Sequence, residues 1–129
     1  MIKPEAIGRT FKGAEVIITQ KEIDDFCAVL GATDTSVASP TFSIRISLDQ
    51  SQAVLTSSEV GVDWDRIVHG DQKFEIHQPL KAGDVLRCDC TLESYKQVAG
   101  NEFVTARSDL YVAGNLAVTN WSTLVVRAL

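Results

Sequence analysis

The stretch Val68-His69-Gly70-Asp71-Gln72-Lys73-Phe74-Glu75-Ile76-His77-Gln78-Pro79-Leu80-Lys81-Ala82-Gly83-Asp84-Val85-Leu86 decides the fold. Phe74 and Ile76 alternate with charged neighbours, as the buried face of a half-exposed strand does. Pro79 lacks a backbone donor and Gly83-Asp84 favours a turn, so one strand ends there and another begins at Val85. Working outward, strands are predicted over 66–78, 85–96, 102–113 and 116–127. Val98-Ala99-Gly100-Asn101 separates the second and third. Gly114-Asn115 joins the last two as a two-residue hairpin turn, because Gly and Asn tolerate positive φ.

Upstream, Thr19-Gln20-Lys21-Glu22 forms a capping box, with the Thr19 hydroxyl serving the Glu22 amide and the Glu22 carboxylate reaching back. Ile23, Phe26, Cys27 and Leu30 follow at helical spacing and Gly31 suits the C-terminal cap, so a helix is predicted over 20–30. A strand over 10–18 precedes it. Residues 31–40 are small, polar and turn-rich and read as a loop, 41–55 as a second, longer helix, and 56–65 as another loop. Strand, helix, loop, long helix and a four-strand meander describe an α+β domain, with helix packed on one face of an antiparallel sheet. A single such sheet leaves its edges free, and pairing two copies resolves that, so a dimer at least is expected.

At 129 residues the chain is read as one domain, 1–129. The net charge is −5 and the basic residues stand singly along the chain. That argues against nucleic-acid binding, which needs clustered Lys and Arg. Met1-Ile2-Lys3-Pro4-Glu5 lacks the apolar core of a secretory leader, and no apolar run approaches the ~20 residues of a membrane span, so a cytoplasmic protein with no membrane partner is expected. Cys27, Cys88 and Cys90 are too few and wrongly spaced for a zinc site. Cys88 and Cys90 face one side of their strand and Asp89 the other, and buried free thiols are expected.

The order of elements and three local strings resemble the N-terminal half of the MaoC-like dehydratase family, including the non-catalytic small subunits of (3R)-hydroxyacyl-ACP dehydratases. Ser39-Pro40-Thr41-Phe42 resembles the family's Ala-Pro-Pro-Thr-Phe. The strand from Val68 to Leu80 resembles its His-Gly-Glu-Gln-x-Phe-x-x-His-Arg-Pro-Leu, and Lys81-Ala82-Gly83-Asp84-Val85-Leu86 its next turn. The resemblance implies a hot-dog fold: an antiparallel sheet wrapped around a long central helix and dimerising through the sheet. It also implies acyl-CoA or acyl-ACP substrates of fatty acid metabolism, held in a tunnel along the dimer interface, with no dissociable cofactor and no metal.

Catalytic members carry an Asp-x4-His pair in the loop after the first helix, where one group activates water and the other handles the α-proton. Placed through Phe26 and Gly31, the Asp position falls on Ala32 and the His position on Val37, neither able to transfer a proton. Using Asp34 instead puts Ser39 at the His position. The resemblance therefore implies a relative or subunit lacking the pair, which shapes the acyl tunnel for a catalytic hot-dog partner in a heterodimer, or else a homodimer with a different task. A homodimeric acyl-CoA thioesterase, with Asp49 or Glu59 activating water, and a non-enzymatic acyl-thioester-binding protein are the alternatives.

Other residues are weighed for the work. His69 and His77 lie eight apart and share a face on a regular strand with Asp71 and Glu75, while Gln72 and Phe74 face the other way; a bulge at Gly70 would break that relation. His69 and Asp71 are the fallback acid–base candidates, and His77 is read as capping the strand end beside Pro79. Ser39, Pro40, Thr41, Phe42, His69, Gly70, Gln72 and His77 are the substrate-binding candidates. Ser39 is also expected to cap the second helix with Pro40 at its first position, leaving spare amides as an oxyanion site. Trp121 is expected in the core or the dimer interface. Trp64 is expected in the core or at a tunnel mouth.

Overall fold

The computed structural model describes all 129 residues. The Thr19 hydroxyl accepts from the Glu22 amide at 3.2 Å, which starts α1 (Gln20–Leu30). Gly31, at φ 72°, ends it with a left-handed cap. Only half of the capping box forms, because the Glu22 carboxylate is taken by Arg45 at 2.8 Å. The second helix, α2 (Ile44–Thr56), begins three residues later than predicted. Ser39 does not cap it. From Ser39 onward the chain coils through successive tight turns (Phe42 N–H to Ser39 O at 2.9 Å, Ile44 N–H to Thr41 O at 3.2 Å) that satisfy the amides before the helix begins.

Five strands, β1 (Thr10–Ile17), β2 (Ile67–Ile76), β3 (Val85–Val98), β4 (Asn101–Val112) and β5 (Asn115–Val126), form one sheet in the order β1-β3-β4-β5-β2, every neighbour antiparallel. The two hairpins turn on Ala99-Gly100 and Ala113-Gly114, all four at positive φ. The predicted Gly114-Asn115 turn is thus displaced by one residue, and Asn115 is the first residue of β5. Ala99 and Ala113 accept a strained backbone at ~1 kcal/mol each so that the turn twist matches the strands.

The helix α2 lies across β3, β4 and β5. It buries Ser43, Ser47 and Ser51 along one stripe, with Val54 and Leu55 beyond. The sheet answers with Leu86, Cys88, Cys90 and Leu92 from β3, alternate residues of one face. The opposite face is laced with charge: Arg107 holds Glu93 at 3.0 Å and Asp109 at 3.2 Å, and Arg87 holds Asp89 at 3.1 Å. Trp121 stands there, partly exposed under the Lys73 ammonium 4.6 Å from its ring, rather than in the core. Trp64 is partly buried against the apolar cluster beneath β4. No helix is long and apolar enough to cross a membrane.

The three cysteines are free and buried. Burial pushes the Cys88 thiol up to about 12 and the Cys90 thiol up to about 11. A thiol whose folded value is raised stabilises the fold below its unfolded value, and that stability is lost as pH rises toward the folded value. Unfolding free energy should therefore fall from about pH 9 upward, by up to ~1.4 kcal/mol per pH unit for each thiol. Urea titrations at mildly and strongly alkaline pH check this. The Cys88→Val, Cys90→Val double variant should flatten the decline, and an unchanged decline would assign it to other groups.

Candidate functional site

The loop after α1 is held on both sides. The Gln20 amide donates to the Thr35 carbonyl at 2.9 Å, and the Ala38 amide donates to the Leu80 carbonyl at 2.7 Å. Between the loop and the end of β2 lies a cavity of about 200 Å³. Val37, Ala38, Ser39, Pro40 and Ser43 line one side; Ile76, Gln78, Pro79, Leu80 and Val118 line the other. Not one of these side chains is a carboxylate or an imidazole. Val37, the position where the resemblance implies His, faces the cavity. Ala32 is exposed and does not line it. Asp34 is engaged elsewhere, accepting from the Ser36 amide at 3.0 Å and the Ser36 hydroxyl at 2.6 Å. Those two bonds hold its carboxyl below the usual range, the wrong direction for a general acid.

Of the predicted binding residues only Ser39 and Pro40 line this cavity. Ser39 Oγ sits 3.4 Å from Cys27 Sγ. Thr41 is exposed. Phe42 is fully buried, its ring 5.4 Å from and nearly perpendicular to that of Phe26, so its place is in the packing beneath the cavity rather than against a ligand. His69, Gly70, Gln72 and His77 lie along or just past β2.

The fallback pair does not form. The β2–β5 register slips between His69 and Asp71, so Gly70 is a bulge. His69 is paired with Leu124, whose side chain is buried on the helix side, whereas Asp71 is paired with Thr123 on the far face. His69 instead joins Gln72: its Nε2 lies 2.9 Å from Gln72 Oε1 and 3.1 Å from the Asp71 carbonyl oxygen. The Asp71 carbonyl can only accept, so that contact requires the proton on Nε2. Gln72 Oε1 also accepts from Ser122 at 2.6 Å. His77 is past the strand, on the far side with Glu75 at 3.6 Å, and its amide donates to the Ala117 carbonyl at 2.8 Å. That backbone bond, which any residue but proline could make, closes the strand end without using the His77 side chain.

A larger cavity, about 340 Å³, opens between β1 and the two helices. Asp49, the only acid of α2, lines it beside Gln50 and the Glu22–Arg45 ion pair, with Val16, Ile17 and Ile46 as its apolar walls. Glu59, the other candidate acid, is paired with Arg9 at 3.4 Å on the surface. No group of three His, Cys, Asp or Glu side chains converges at metal-ligand spacing.

The lining residues that sequence reasoning missed are Ala38, Ser43, Ile76, Gln78, Pro79, Leu80 and Val118. Gln78-Pro79-Leu80 carried a signal, since it ends the string that resembles the family's strand, but it reads locally as a turn.

A central helix wrapped by an antiparallel five-stranded sheet in this order defines a hot-dog protein, and its structural neighbours are MaoC-like dehydratases. Residues 5–120 match the family model of the FAS1-like dehydratase domain region, and the chain belongs to that family. It is 42% identical over 98 residues to a UPF0336 protein of Thermobifida fusca, a match covering 75% of this chain and 64% of that relative. The chain thus spans just under two thirds of that relative's length. A (3R)-hydroxyacyl-ACP dehydratase complex, HadBC of Mycobacterium tuberculosis, has a similar chain (TM-score 0.82, 20% identity, 93% of this chain and 96% of that one). A MaoC-like dehydratase from Rhodospirillum rubrum is similar too (TM-score 0.70, 18% identity, 96% and 95%).

Proposed function

We propose that this chain is a subunit of an enoyl-thioester hydratase or (3R)-hydroxyacyl-thioester dehydratase that shapes the acyl site while a second hot-dog chain supplies the Asp and His. One observation carries the reading: the cavity beside the loop after α1 is walled by apolar, serine and amide side chains and holds no carboxylate or imidazole to act as general acid or base. In the partner, Asp and His would share the water added across the enoyl double bond. This chain would exclude bulk water and hold the acyl portion, with CoA or ACP carrying the thioester and no other cofactor taking part. The free edge of β2, with Val68 and Ile76 exposed, supports pairing with the other chain's sheet. A cytoplasmic role in fatty acid metabolism follows from such substrates.

The test is hydration of trans-2-enoyl-CoA thioesters, followed by loss of enoyl absorbance. The folded chain alone should give no turnover. Mixed with a hot-dog chain carrying an intact Asp-x4-His, it should raise that chain's turnover by at least about tenfold, equivalent to ~1.4 kcal/mol of barrier. Turnover by this chain alone would overturn the reading.

A second reading rests on Asp49 in the larger cavity: a thioesterase in which that carboxylate activates water. Release of free CoA thiol from acyl-CoA, abolished in Asp49→Asn, would establish it.

A further inference from the structure

We infer that Asn120, hydrogen-bonded to Ser43 and Ser47, forms the floor of the cavity beneath the Val37–Pro40 loop and restricts it to a short acyl chain. The inference rests on the reading of that cavity as an acyl site.

Alternation along β5 puts Val118, Asn120, Ser122 and Leu124 on the helix-facing side, all buried. A strand in this setting ordinarily carries an apolar residue at each such position. Asn120 is completely buried, and its amide nitrogen donates to Ser43 Oγ at 3.1 Å and Ser47 Oγ at 2.9 Å. Ser43 and Val118 line the cavity, so the bonded cluster stands immediately behind its wall. An alkyl chain advancing between helix and sheet would have to part Asn120 from both serines, leaving a buried amide without partners, which is costly to expose to hydrocarbon.

The volume sets the scale. A cavity of ~150 Å³ accepts benzene, so about 200 Å³ corresponds to roughly six to eight carbons. The cluster therefore acts as a ruler: methylenes that fit gain burial, and those beyond it meet a polar floor.

The measurement is calorimetric binding of butanoyl-, hexanoyl-, octanoyl-, decanoyl-, dodecanoyl- and hexadecanoyl-CoA to the purified, folded chain. Affinity should rise about fourfold per methylene and stop rising near hexanoyl to octanoyl. In Asn120→Ala the break should move out by about two carbons, the space the lost amide leaves. Ser43→Val, which thickens the wall without removing Asn120, should move it in. If Asn120→Ala fails to fold, the wild-type break and its inward shift in Ser43→Val still decide the matter. Affinity climbing without a break through hexadecanoyl-CoA, or a break that neither variant moves, would overturn the floor. Absence of binding at every length would instead overturn the acyl-site reading itself.

Discussion

Phe42→Ala should lower the unfolding free energy by about 3–5 kcal/mol, the range for emptying a fully buried aromatic site. The ring has no exposed surface, meets Phe26 edge-on at 5.4 Å, and belongs to the apolar cluster of Ile23, Cys27, Leu110 and Val118. It sits on the tight turns that lead into α2, where the backbone has little freedom to collapse into the void. Small domains hold ~5–15 kcal/mol in all, so the variant should lose roughly a fifth or more of its stability. Phe42→Leu keeps most of the volume and should cost about half as much. Urea unfolding of the three proteins checks the order. A loss under ~1 kcal/mol for Phe42→Ala, accompanied by weakened acyl-CoA binding, would return Phe42 to the substrate-contact role its place in the Ser39–Phe42 string suggested.

Glu102→Ala should be nearly as damaging, at about 2–4 kcal/mol, because it strands the buried Ile2 amide and removes the Tyr95 contact. The carboxylate is 3% exposed, and one oxygen accepts from the Ile2 amide at 2.9 Å and the Tyr95 hydroxyl at 2.8 Å. Ile2 is itself buried, so its amide has no water to turn to. The arrangement pins the N-terminal segment across the β3–β4 hairpin. Glu102→Gln retains an acceptor oxygen and should lose only ~1 kcal/mol. Thermal unfolding separates the two, with the alanine variant falling by roughly 10 °C. A second readout is specific to the contact. The bond to Glu102 raises the Tyr95 phenol above its ordinary value, so Tyr95 should ionise at lower pH in Glu102→Ala. An unmoved phenol titration would break the link between this bond and the lost stability.

Much of the fold is legible in the residues. Alternation, the Thr19 cap and the Gly31 stop depend on neighbours a few positions away, so α1 and all five strands lie within a residue or two of expectation. The start of α2 does not, because Ser39-Pro40 reads as a helix start to any local rule. Its amides are instead satisfied by consecutive turns that the packing of Phe42 selects. The site is less legible for a related reason. His69 and Asp71 share a face only on a regular strand, and one extra residue at Gly70 separates them. The cavity is assembled from segments some forty positions apart, the loop and the end of β2, and no spacing along the chain announces their meeting. The placement of Ala32 and Val37 at the family's catalytic positions comes from the resemblance alone; of the two, Val37 lines the cavity and Ala32 does not.

The serine stripe of α2 and its partners on the sheet divide the interior into two apolar clusters, one around Leu55, Leu92 and Val104, the other around Ile23, Phe42 and Leu110. Two clusters joined through a polar seam need not melt as one. Segments with fewer shared apolar contacts open at lower free energy than the whole domain. The half built on α1 and the loop can thus breathe while the half under the β3–β4 hairpin stays shut, and amide exchange would register them as separate cooperative units. On the proposed reading, an acyl chain entering beneath the loop would wait only on the weaker unit, while the β3–β4 hairpin keeps its shape.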